Sequence, residues 1–556
     1  MKNALLLLTI LTVLLYTASA QLYSDIQSIL PADTTSDMRN NFSTKDNAGN
    51  TIVTGEFVGT ILFSGSSITL EYPEGWDPDG PNGINYKAFI AKLNSNGTWA
   101  WAKEIDNTEL SIRGVATDAS DNIFIVGSFH GTASLDNITI TSTGTYYTDI
   151  FVAKINSNGA FQWAKTAGTS KGPDYGRDIT VDGSGNVIIC GSYTNKQSHC
   201  GFCALAFSSD VFIAKYNSSG VKLWSKNIGN TNNRFFQDSY GMWVTNTGNT
   251  ISSDGTGNVY VGGTFLGTLK FGNITIKVHT TDILDAFAAK FNSSGTPQWV
   301  KTGYTTYDTE LQRSSIDDSG NVYFSGRGDA GTLVFNGTTF NNVTNSFLIK
   351  LNTSGSAQWT SNVMNTNVSG TVPQSILVNS AGNIDVLVHG YSYQPVGTVI
   401  DYLKEYSSNG ILLFTESLAN VVPGDLCKNA TGVTVTMNFQ SSVTLPTASG
   451  DVTITSPFPT NPSSSTPDIY GVFIATYTPS AALLAAPPYG DQPGVDISIT
   501  NEILAYPNPT SGVITLRLPD FHLEEGVLRV LTLTGQELFS QKVIRDQQVE
   551  LDLSAH

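Results

Sequence analysis

The stretch Asp118-Ala-Ser-Asp-Asn-Ile-Phe-Ile-Val-Gly127 decides the fold, because it joins an acidic turn to an apolar strand that ends in glycine. Asp, Asn and Gly in the turn supply the backbone conformations that a hairpin requires. The strand is apolar on both faces, which is typical of a sheet covered on both sides. The phrase recurs with closing glycines 63 to 72 residues apart. Its other copies are Asp46–Gly55, Asp182–Gly191, Asp254–Gly263, Asp317–Gly326 and a weaker one at Asn379–Gly390.

A second phrase follows each copy of the first: Phe-Ile-Ala-Lys-Leu-Asn-Ser-Asn-Gly, and then a strand centred on tryptophan. Asn-Ser-x-Gly again places glycine where a tight turn needs a positive φ. The full copies are Phe89–Gly97 with Trp101, Phe151–Gly159 with Trp163, Phe212–Gly220 with Trp224, Phe287–Gly295 with Trp299, and Phe347–Gly355 with Trp359. A degraded copy spans Tyr402–Gly410 with Phe414 in the tryptophan position, and the last, Val472–Tyr477, has no tryptophan strand after it.

Repetition of one supersecondary motif indicates an array of small sheets rather than a single core. Each copy accommodates four strands: one before the acidic turn, one after it, the Phe-Ile-Ala-Lys strand and the tryptophan strand. Seven copies of the second phrase predict an all-β fold, a seven-bladed β-propeller of four-stranded blades over residues 21–478. The last copy lacks its fourth strand, and we expect the N-terminal stretch Gln21–Ile29 to supply it and close the ring. An open solenoid is the alternative.

The repeats resemble the β-propeller repeats of large exported bacterial proteins, especially those of the Bacteroidetes phylum. The resemblance rests on Gly-Asn-Val-Tyr-Val-Gly, as at 257–262, in combination with Phe-Ile-Ala-Lys, and it covers roughly residues 21–485. That family is defined by its fold and has no shared catalytic residues. The resemblance therefore implies architecture rather than chemistry.

Residues 1–20 have the features of a cleaved secretory signal peptide. Lys2 supplies the charged start, Ala4–Tyr16 an apolar stretch too short to anchor in a bilayer, and Ala18-Ser19-Ala20 the small residues of a cleavage site. No later segment is apolar for long enough to predict a transmembrane helix. With 46 acidic against 29 basic residues and no basic stripe, the composition argues against a nucleic-acid partner. The net charge of −17 favours a surface that keeps copies of the chain apart.

The chain changes character after residue 478. Residues 479–500, rich in Ala, Pro and Gly, are typical of a linker, and the alternation within 501–556 predicts a small C-terminal β-sandwich. This tail resembles the C-terminal sorting domain of type IX secretion cargo. The matching residues are Tyr506, Pro507, Asn508, Pro509 and Gly512, followed by the turn Leu533–Glu537 and the strand Leu551–Ser554. The resemblance implies the type IX machinery as a partner and a secreted or cell-surface protein that passes through the periplasm. Such domains continue further than His556, so we interpret the tag as incomplete.

Two insertions lengthen the repeats, and loops on a rigid scaffold are where such folds place function. The first carries Asp77, Asp79 and Asn82, whose oxygen atoms could ligate calcium, while the prolines around them favour a plain rigid turn. The second, residues 230–249, carries aromatic side chains suited either to a glycan or protein ligand or to capping the core. These are Phe235, Phe236, Tyr240 and Trp243.

The segment His199-Cys200-Gly-Phe-Cys203 contains a Cys-x-x-Cys pair, with no second pair to complete a zinc site. In an exported protein this favours a structural disulfide over a redox or metal site, and the candidates are Cys200, Cys203 and Cys190. The six histidines show no metalloprotease spacing. No cofactor other than calcium is expected.

The sequence leads to two hypotheses of function. The first is a non-enzymatic binding or adhesion scaffold that acts on a glycan or protein through its loop face. The alternative is a glycan-active hydrolase or lyase with its site in the central channel. That alternative requires ionisable residues from separate repeats to converge on the channel.

Overall fold

A computed structural model of the chain consists of strands and turns, with no helix in the part that it describes. In the repeat region the described residues are 23–33, 36–72, 86–107, 109–144, 146–199, 205–229, 246–280, 283–363, 368–393, 396–418, 421–428, 432–439, 442–445, 447, 451–455 and 471–477. In the tail they are 504–506, 513–517, 525–531, 537–544 and 548–552. Across these ranges, nothing has the length and hydropathy of a membrane-crossing helix.

The repeat region forms one compact body from Gln21 to Ala482. Its first strands are β1 Tyr23–Pro31, β2 Asp37–Lys45, β3 Thr51–Phe63, β4 Thr69–Tyr72, β5 Lys87–Leu93, β6 Trp99–Glu104, β7 Leu110–Thr117, β8 Ile123–Phe129, β9 Thr132–Leu135, β10 Ile138–Thr141, β11 Asp149–Ile155, β12 Phe161–Ala167, β13 Tyr175–Val181, β14 Val187–His199, β15 Leu205–Tyr216 and β16 Lys222–Ile228. The strands that follow are β17 Thr247–Ser253, β18 Val259–Phe265, β19 Thr268–Phe271, β20 Ile274–Lys277, β21 Asp285–Phe291, β22 Pro297–Tyr304, β23 Glu310–Ile316, β24 Val322–Arg327, β25 Gly331–Phe335, β26 Thr338–Val343, β27 Ser346–Leu351, β28 Ala357–Asn362, β29 Val368–Val378, β30 Ile384–Tyr393, β31 Val396–Tyr406, β32 Leu412–Leu418, β33 Val421–Lys428, β34 Val433–Phe439, β35 Ser442–Leu445, β36 Val452–Thr455 and β37 Gly471–Tyr477.

These strands group into antiparallel repeats of four, which we number in chain order. Repeat 1 is β2-β3-β5-β6, repeat 2 is β7-β8-β11-β12, repeat 3 is β13-β14-β15-β16, repeat 4 is β17-β18-β21-β22, repeat 5 is β23-β24-β27-β28, repeat 6 is β29-β30-β31-β32 and repeat 7 is β33-β34-β37-β1. Strand β4 and the hairpins β9-β10, β19-β20, β25-β26 and β35-β36 follow the second strand of their repeats. We call the first strand of each repeat its inner strand.

The N-terminal strand β1 belongs to repeat 7 although it comes from the other end of the chain. It pairs with β37 from Tyr23 opposite Tyr477 to Ile29 opposite Val472. Its last residues also pair with β3 of repeat 1, which joins repeats 7 and 1 in one sheet. Each inner strand contacts the inner strand of the next repeat, and β33 contacts β2. The inner strands therefore follow one another around a common axis.

The hydrophobic core is divided among the boundaries between adjacent repeats. Ile123 and Ile125 of β8 pack in a cluster shared with repeat 1, whereas Phe124 and Val126 of the same strand pack in a cluster shared with repeat 3. All four side chains are buried. Burial on both faces explains why the strand that ends at Gly127 is apolar at successive positions.

The acidic turns have the conformation that their residues predict. In repeat 3, Asp182 Oδ1 accepts hydrogen bonds from the backbone N–H groups of Ser184 and Asn186, and Gly185 has a φ of 74°. Lys215 Nζ lies 2.7 Å from Asp182 Oδ2. The turn is therefore satisfied internally by its own residues and by the lysine of the second phrase.

The weaker copy in repeat 6 retains this contact with the donor and acceptor positions exchanged. Asn379 stands in the aspartate position and Glu405 in the lysine position. Asn379 Nδ2 donates to Glu405 Oε1 at 3.2 Å. A departure from the repeat at one position is thus matched by a departure at its partner.

A repeated contact at the outer edge, which we name the peripheral clasp, joins each of repeats 1 to 5 to the next. The tryptophan of the fourth strand donates its indole N–H to a turn carbonyl of the following repeat. The pairs are Trp101 to Ser157 at 3.2 Å, Trp163 to Ser218 at 3.1 Å, Trp224 to Ser293 at 3.1 Å, Trp299 to Thr353 at 3.0 Å and Trp359 to Ser408 at 3.1 Å. A Cβ on the glycine of each of these turns would come within 2.7–2.9 Å of the indole ring. Both the tryptophan and the turn glycine of the second phrase are therefore explained by one contact.

The boundary between repeats 6 and 7 has a different contact. Phe414 takes the tryptophan position of repeat 6, opposite Glu405. The third and fourth strands of repeat 7 come from opposite ends of the repeat region, so no turn joins them. Instead, Tyr23 Oη donates a hydrogen bond to Glu416 Oε2 at 2.9 Å across the boundary.

The boundary between repeats 7 and 1 also differs. Ser24 pairs with Thr476 at the register where Trp163 pairs with Lys154 in repeat 2. A groove lies here, and its lining includes Asp25, Gly97 and Thr476. A small side chain thus stands where the fourth strands of repeats 1 to 5 have an indole ring.

The tail residues Leu483–His556 belong to a second compact body. Its strands are β38 Leu504–Tyr506, β39 Val513–Arg517, β40 Glu525–Leu531, β41 Glu537–Ile544 and β42 Gln548–Asp552. They form the antiparallel sheets β38-β39-β42 and β40-β41.

Candidate functional site

Each inner strand has a β-bulge at the same level, where its pairing with the second strand shifts register. The shifts lie between Arg39 and Phe42, Ile112 and Gly114, Gly176 and Asp178, Gly248 and Thr250, Leu311 and Arg313, Pro373 and Ser375, and Pro423 and Asp425. A bulge leaves an extra residue unpaired and redirects its side chain. In repeats 1 to 6 the extra residue lies five positions before the start of the acidic turn, and in repeat 7 it is Gly424. These axial bulge residues are Asn41, Arg113, Arg177, Asn249, Gln312, Gln374 and Gly424.

The closing glycine of the first phrase lies opposite this bulge in repeats 2 to 5. A Cβ on Gly127, Gly191 or Gly263 would lie 1.9–2.0 Å from a carbonyl oxygen of the inner strand. No side chain fits at that distance, so the close approach of the bulged strand explains the glycine in these repeats. In repeats 6 and 7 the bulge lies opposite Val388 and Met437 instead.

Hydrogen bonds between repeats hold the residues next to the bulges. Asp178 Oδ2 accepts from Thr250 Oγ1 at 2.9 Å and from the backbone N–H of Ile251 at 2.8 Å. Thr250 Oγ1 also lies 2.8 Å from Ser314 Oγ. This chain of contacts links repeats 3, 4 and 5.

Asp425 has the same role on the other side of the axis. Its Oδ1 accepts from Ser375 Oγ at 2.6 Å and from the backbone N–H of Leu426 at 2.9 Å, and its Oδ2 accepts from the backbone N–H of Ser43 at 2.9 Å. Repeats 6, 7 and 1 are linked in this way. Because both of its oxygens accept hydrogen bonds, this carboxylate stabilises the contacts between these repeats.

Burial raises the pKa of Asp178 and of Asp425 above the ordinary aspartate value. Hydrogen bonds to each carboxylate and the positive charge of Arg313 oppose that rise. Arg313 therefore acts electrostatically on carboxylates of repeats 3 and 7. Ionisable groups from separate repeats converge on the axis, which the alternative hypothesis of an enzyme requires.

Three arginines in this region are not paired with a carboxylate in the described part of the chain. Arg313 donates from Nε to the carbonyl oxygen of Gln374 at 2.7 Å and from Nη1 to that of Gln312 at 3.1 Å. The guanidinium of Arg177 lies 5.2 Å from the ring centre of Tyr175, and its buried Nε has no hydrogen-bond partner within the described ranges. Arg113 makes no ion pair with any described residue.

The three guanidinium groups are close enough to influence one another. Burial lowers the pKa of Arg177, and the positive charges of Arg113 and Arg313 lower it further. Glu310 counteracts part of this effect, although its carboxylate is also engaged by Arg327 Nη2 at 2.8 Å. Three arginine side chains thus come together here, beside the carboxylates of Asp178, Asp425 and Glu310.

Three histidines pair with acidic residues of their own repeats. His279 Nδ1 lies 2.6 Å from Asp285 Oδ1, and its ring stacks on Tyr304 with 4.1 Å between the ring centres. His389 of β30 has its Nδ1 2.6 Å from Oδ1 of Asp401, the residue opposite it on β31. His130 has the same kind of contact with Glu109. These three histidines are therefore engaged within repeats 2, 4 and 6.

The site residues expected from the sequence fall mainly outside the described residues. This holds for the calcium candidates Asp77, Asp79 and Asn82, for the aromatic candidates Phe235, Phe236, Tyr240 and Trp243, for Cys200 and Cys203, and for Pro507, Asn508, Pro509 and Gly512. Tyr506 is the last residue of β38. Among the described residues, no three His, Cys, Asp or Glu side chains are grouped to hold a metal ion.

Cys190 was a disulfide candidate in the sequence, and the structure has it as a buried free thiol. Burial raises its pKa well above that of an ordinary thiol, and the neighbouring charge of Asp178 raises it further. Its side chain packs in the core shared by repeats 3 and 4. Cys190 therefore fills core space as a small apolar residue would.

The sequence analysis missed the axial arginines. A signal for them was present, because aligning the repeats on the acidic turn places Arg113 and Arg177 in the same column as Asn249 and Gln312. That column precedes the phrase by which the repeats were recognised, and its residues differ from repeat to repeat. Only the bulge shows that they share one position on the axis.

No family model matches the chain. A WD repeat-containing protein of Acanthamoeba polyphaga mimivirus is 26% identical over 468 residues, which cover 70% of this chain and 32% of that protein. The chain thus spans about a third of the length of this relative. The four-stranded antiparallel repeats and the WD-repeat relative together make the chain an all-β protein of β-propeller type.

Comparison with solved structures gives matches of low TM-score. An ulvan lyase has a TM-score of 0.40 and 10% identity, with 72% of this chain and 91% of that chain covered. A protein from Dyadobacter fermentans has a TM-score of 0.36 and 9% identity, with 81% and 98% covered. A protein from Bacteroides caccae has a TM-score of 0.32 and 13% identity, with 61% and 92% covered. TM-scores of this size do not identify a function.

Proposed function

We propose that residues 21–482 are a seven-bladed β-propeller, closed by its N-terminal strand, that serves as an extracellular binding scaffold. The support for closure is the pairing of β1 with β37 and the contact between the inner strands β33 and β2. A closed ring leaves no sheet edge free at its ends, which suits a protein that works outside the cell without chaperones.

The variety of the axial bulge residues is the observation that carries the binding role. The glycine opposite the bulge is the same in repeats 2 to 5, whatever the bulge residue is. The bulge residue itself changes among arginine, asparagine, glutamine and glycine. One backbone position with different polar side chains around an axis forms an asymmetric surface of the kind that recognises a ligand.

A glycan-active enzyme is the second candidate, and the convergence of ionisable groups on the axis favours it. Arg113, Arg177, Asp178, Arg313 and Asp425 come from repeats 2, 3, 5 and 7. Catalysis on a glycan needs a general base or acid that is free to exchange a proton with the substrate. The oxygens of Asp178 and Asp425 are occupied by hydrogen bonds from neighbouring repeats, so binding is the better supported role.

Export by a signal peptide at 1–20 and a type IX sorting domain at 501–556 is part of the proposal. It rests on the residues of the two ends and on the resemblance of the tail to sorting domains. The test is to express the full chain, and a variant lacking residues 501–556, in a bacterium with type IX secretion. Surface or medium localisation that depends on the tail supports the proposal, and retention of both forms in the periplasm contradicts it.

The binding role is tested with the mature chain, residues 21–556, on glycan and protein arrays. At least one reproducible ligand is expected, with binding reduced by substitution of the axial bulge residues. Each glycan that binds is then incubated with the protein while its chain length is monitored. Unchanged glycan supports a scaffold, whereas shortening of the glycan favours the enzyme. An array without any ligand contradicts the proposed function.

A further inference from the structure

We infer that Arg113, Arg177 and Arg313 form an axial site for an oxyanion, the carboxylate, sulfate or phosphate group of a small ligand. This inference rests on the proposed function and names the chemistry of its ligand. It concerns only described residues of the inner strands β7, β13 and β23.

The fold brings the three guanidinium groups together from separate repeats. Arg113 and Arg177 are the bulge residues of the adjacent repeats 2 and 3. Arg313 is the residue directly after the bulge of repeat 5. Because bulges turn side chains out of the pleat, the axis is the place where side chains of non-adjacent repeats can meet.

The available hydrogen-bond donors of these arginines exceed the acceptors around them. Arg313 donates to two backbone carbonyl oxygens, which accept without neutralising its charge. The buried Nε of Arg177 has no hydrogen-bond partner among the described residues. A buried donor without an acceptor is destabilising, and such groups in a native protein are usually explained by what binds there.

The carboxylates nearby are already committed to other groups. Asp178 and Asp425 accept hydrogen bonds from neighbouring repeats, and Glu310 is paired with Arg327. Burial lowers the pKa of Arg177, and the positive charges of Arg113 and Arg313 add to this lowering. An oxyanion between them would relieve this repulsion and supply the missing acceptor at the same time.

The chemistry of guanidinium selects the class of ligand. Its planar fork of N–H groups matches the oxygens of a carboxylate, sulfate or phosphate in paired hydrogen bonds. A spherical halide cannot satisfy such a fork in the same way. We therefore expect oxyanions to be preferred over chloride at equal ionic strength.

The charge of the whole chain limits the size of the ligand. With 46 acidic and 29 basic residues, the protein as a whole repels a long polyanion. Screening by salt confines this repulsion to about 10 Å from the charges, so a short ligand that enters along the axis is affected least. A small acid, or the acidic end of a short saccharide, fits these conditions.

The test is calorimetric titration of the mature chain, residues 21–556, with sodium sulfate, sodium phosphate and sodium glucuronate. Sodium chloride replaces each salt in the reference titrations to keep the ionic strength constant. Saturable binding of at least one oxyanion is expected, weakened by about tenfold or more in Arg177→Gln and in Arg113→Gln. Arg177→Lys, which keeps the charge and loses the fork, is expected to bind more weakly than the parent and more tightly than Arg177→Gln.

The matched control is Lys165→Gln, which removes one positive charge from an exposed position on β12. Binding by this variant should equal that of the parent protein. Far-ultraviolet circular dichroism and a single cooperative urea transition establish that each variant is folded. Because Arg113→Gln and Arg177→Gln alter different strands, misfolding of one leaves the other as the test.

The inference is overturned if no oxyanion binds saturably, or if Arg113→Gln and Arg177→Gln bind as tightly as Lys165→Gln. A preference for glucuronate over sulfate and phosphate assigns the site to a sugar acid, and the reverse assigns it to an inorganic or ester oxyanion. An array ligand whose binding is unaffected by Arg177→Gln refutes the axial site and leaves the proposed function in place. Arginine-dependent oxyanion binding with no array ligand contradicts the proposed function and supports the axial site.

Discussion

The outer edge of the repeats and their axis differ in which residues recur, although both are built from the same repeated backbone. At the edge, five tryptophans make the same hydrogen bond to a turn of the next repeat. At the axis, the bulges recur at one level, but their side chains differ from repeat to repeat. At the outer edge, where one repeat contacts the next, the same tryptophan recurs. Where the repeats face the axis, the backbone bulge is repeated and its side chain changes, and we propose that some of these side chains serve a ligand.

Repeat 7 sharpens the comparison, because it lacks the peripheral clasp on both sides. Its third and fourth strands come from the two ends of the chain, so the turn that would receive the indole of repeat 6 does not exist. Phe414 replaces the tryptophan, and Tyr23 and Glu416 supply a different contact. The loss of a repeated residue thus coincides with the loss of its partner.

The largest expected effect comes from adding a methyl group opposite a bulge. In Gly127→Ala the new Cβ would meet Ser111 O at 1.9 Å, and that oxygen belongs to the backbone of the inner strand and has little room to move. We expect a loss of about 3 kcal/mol or more in the free energy of unfolding, measured by urea denaturation. Gly255→Ala, where the Cβ meets nothing within 4 Å, is the control and should change stability by less than about 0.5 kcal/mol. Equal effects of the two substitutions would show that the bulge does not require the glycine.

Breaking one peripheral clasp should have the next largest effect. Trp224→Ala removes the ring that lies against Gly295 and the hydrogen bond to Ser293 O, so we expect a loss of about 2–3 kcal/mol. Trp224→Phe keeps an aromatic ring and loses the N–H donor, and should cost about 1 kcal/mol. Both values are measured by urea denaturation of the mature chain. A loss below 0.5 kcal/mol for the alanine variant would mean that the clasp is not what holds adjacent repeats.

The contact that replaces the clasp at repeat 7 should depend on pH. Burial raises the pKa of Glu416 to about 7, and the hydrogen bond from Tyr23 opposes the rise. A carboxyl group whose pKa is higher in the folded state stabilises the fold at low pH, and this stability is lost as the pH rises from about 4.5 through 7. Glu416→Gln mimics the neutral form and removes this contribution.

The Glu416→Gln variant should therefore gain stability relative to the parent protein as the pH rises. We expect a relative gain of about 1 kcal/mol between pH 5 and pH 8, since Glu416 is only partly buried. Urea denaturation of both proteins at each pH measures the difference, which cancels the contributions of other titrating groups. A difference that is constant over this range would contradict the assignment of a raised pKa to Glu416.

A smaller gain is expected from completing the clasp between repeats 7 and 1. Ser24 stands at the tryptophan register beside the groove that Asp25, Gly97 and Thr476 help to line. Ser24→Trp places an indole in that groove, and filling it should add up to about 1 kcal/mol to the free energy of unfolding. Ser24→Ala is the control and should not stabilise. A loss of stability in Ser24→Trp would show that the groove is not equivalent to the clasped boundaries.

Much of the architecture follows from the sequence because local patterns determine it. The acidic turn of Asp182–Asn186 and the two-sided burial of Ile123–Val126 are properties of short segments, and they were predicted from those segments. The strand pairing of the chain ends was inferred from a missing copy of one phrase, and β1 does pair with β37. These features need only turn chemistry and hydrophobic pattern.

The axial arginines could not be predicted in the same way, because their meaning depends on distant parts of the chain. Nothing local distinguishes Arg113 from any strand arginine, and its relation to Arg313 requires the repeats to surround one axis. Whether Cys190 forms a disulfide likewise depends on its place in the core between two repeats, where it is a free thiol. Local sequence patterns thus predict the strands and turns of each repeat. The contacts between side chains of different repeats depend on how the repeats are arranged.

The stability of Arg177→Gln without a ligand tests the contrast between edge and axis most directly. Its free energy of unfolding is compared with that of the parent protein by urea denaturation in chloride buffer. Removing a charge that its neighbours repel, and a buried Nε without a partner, should leave the free energy of unfolding unchanged within about 0.5 kcal/mol or raise it. That result places Arg177 among residues kept for a ligand rather than for the fold. A loss of about 2 kcal/mol or more, comparable with that expected for Trp224→Ala, would contradict the account, because the axis would then be as structural as the edge.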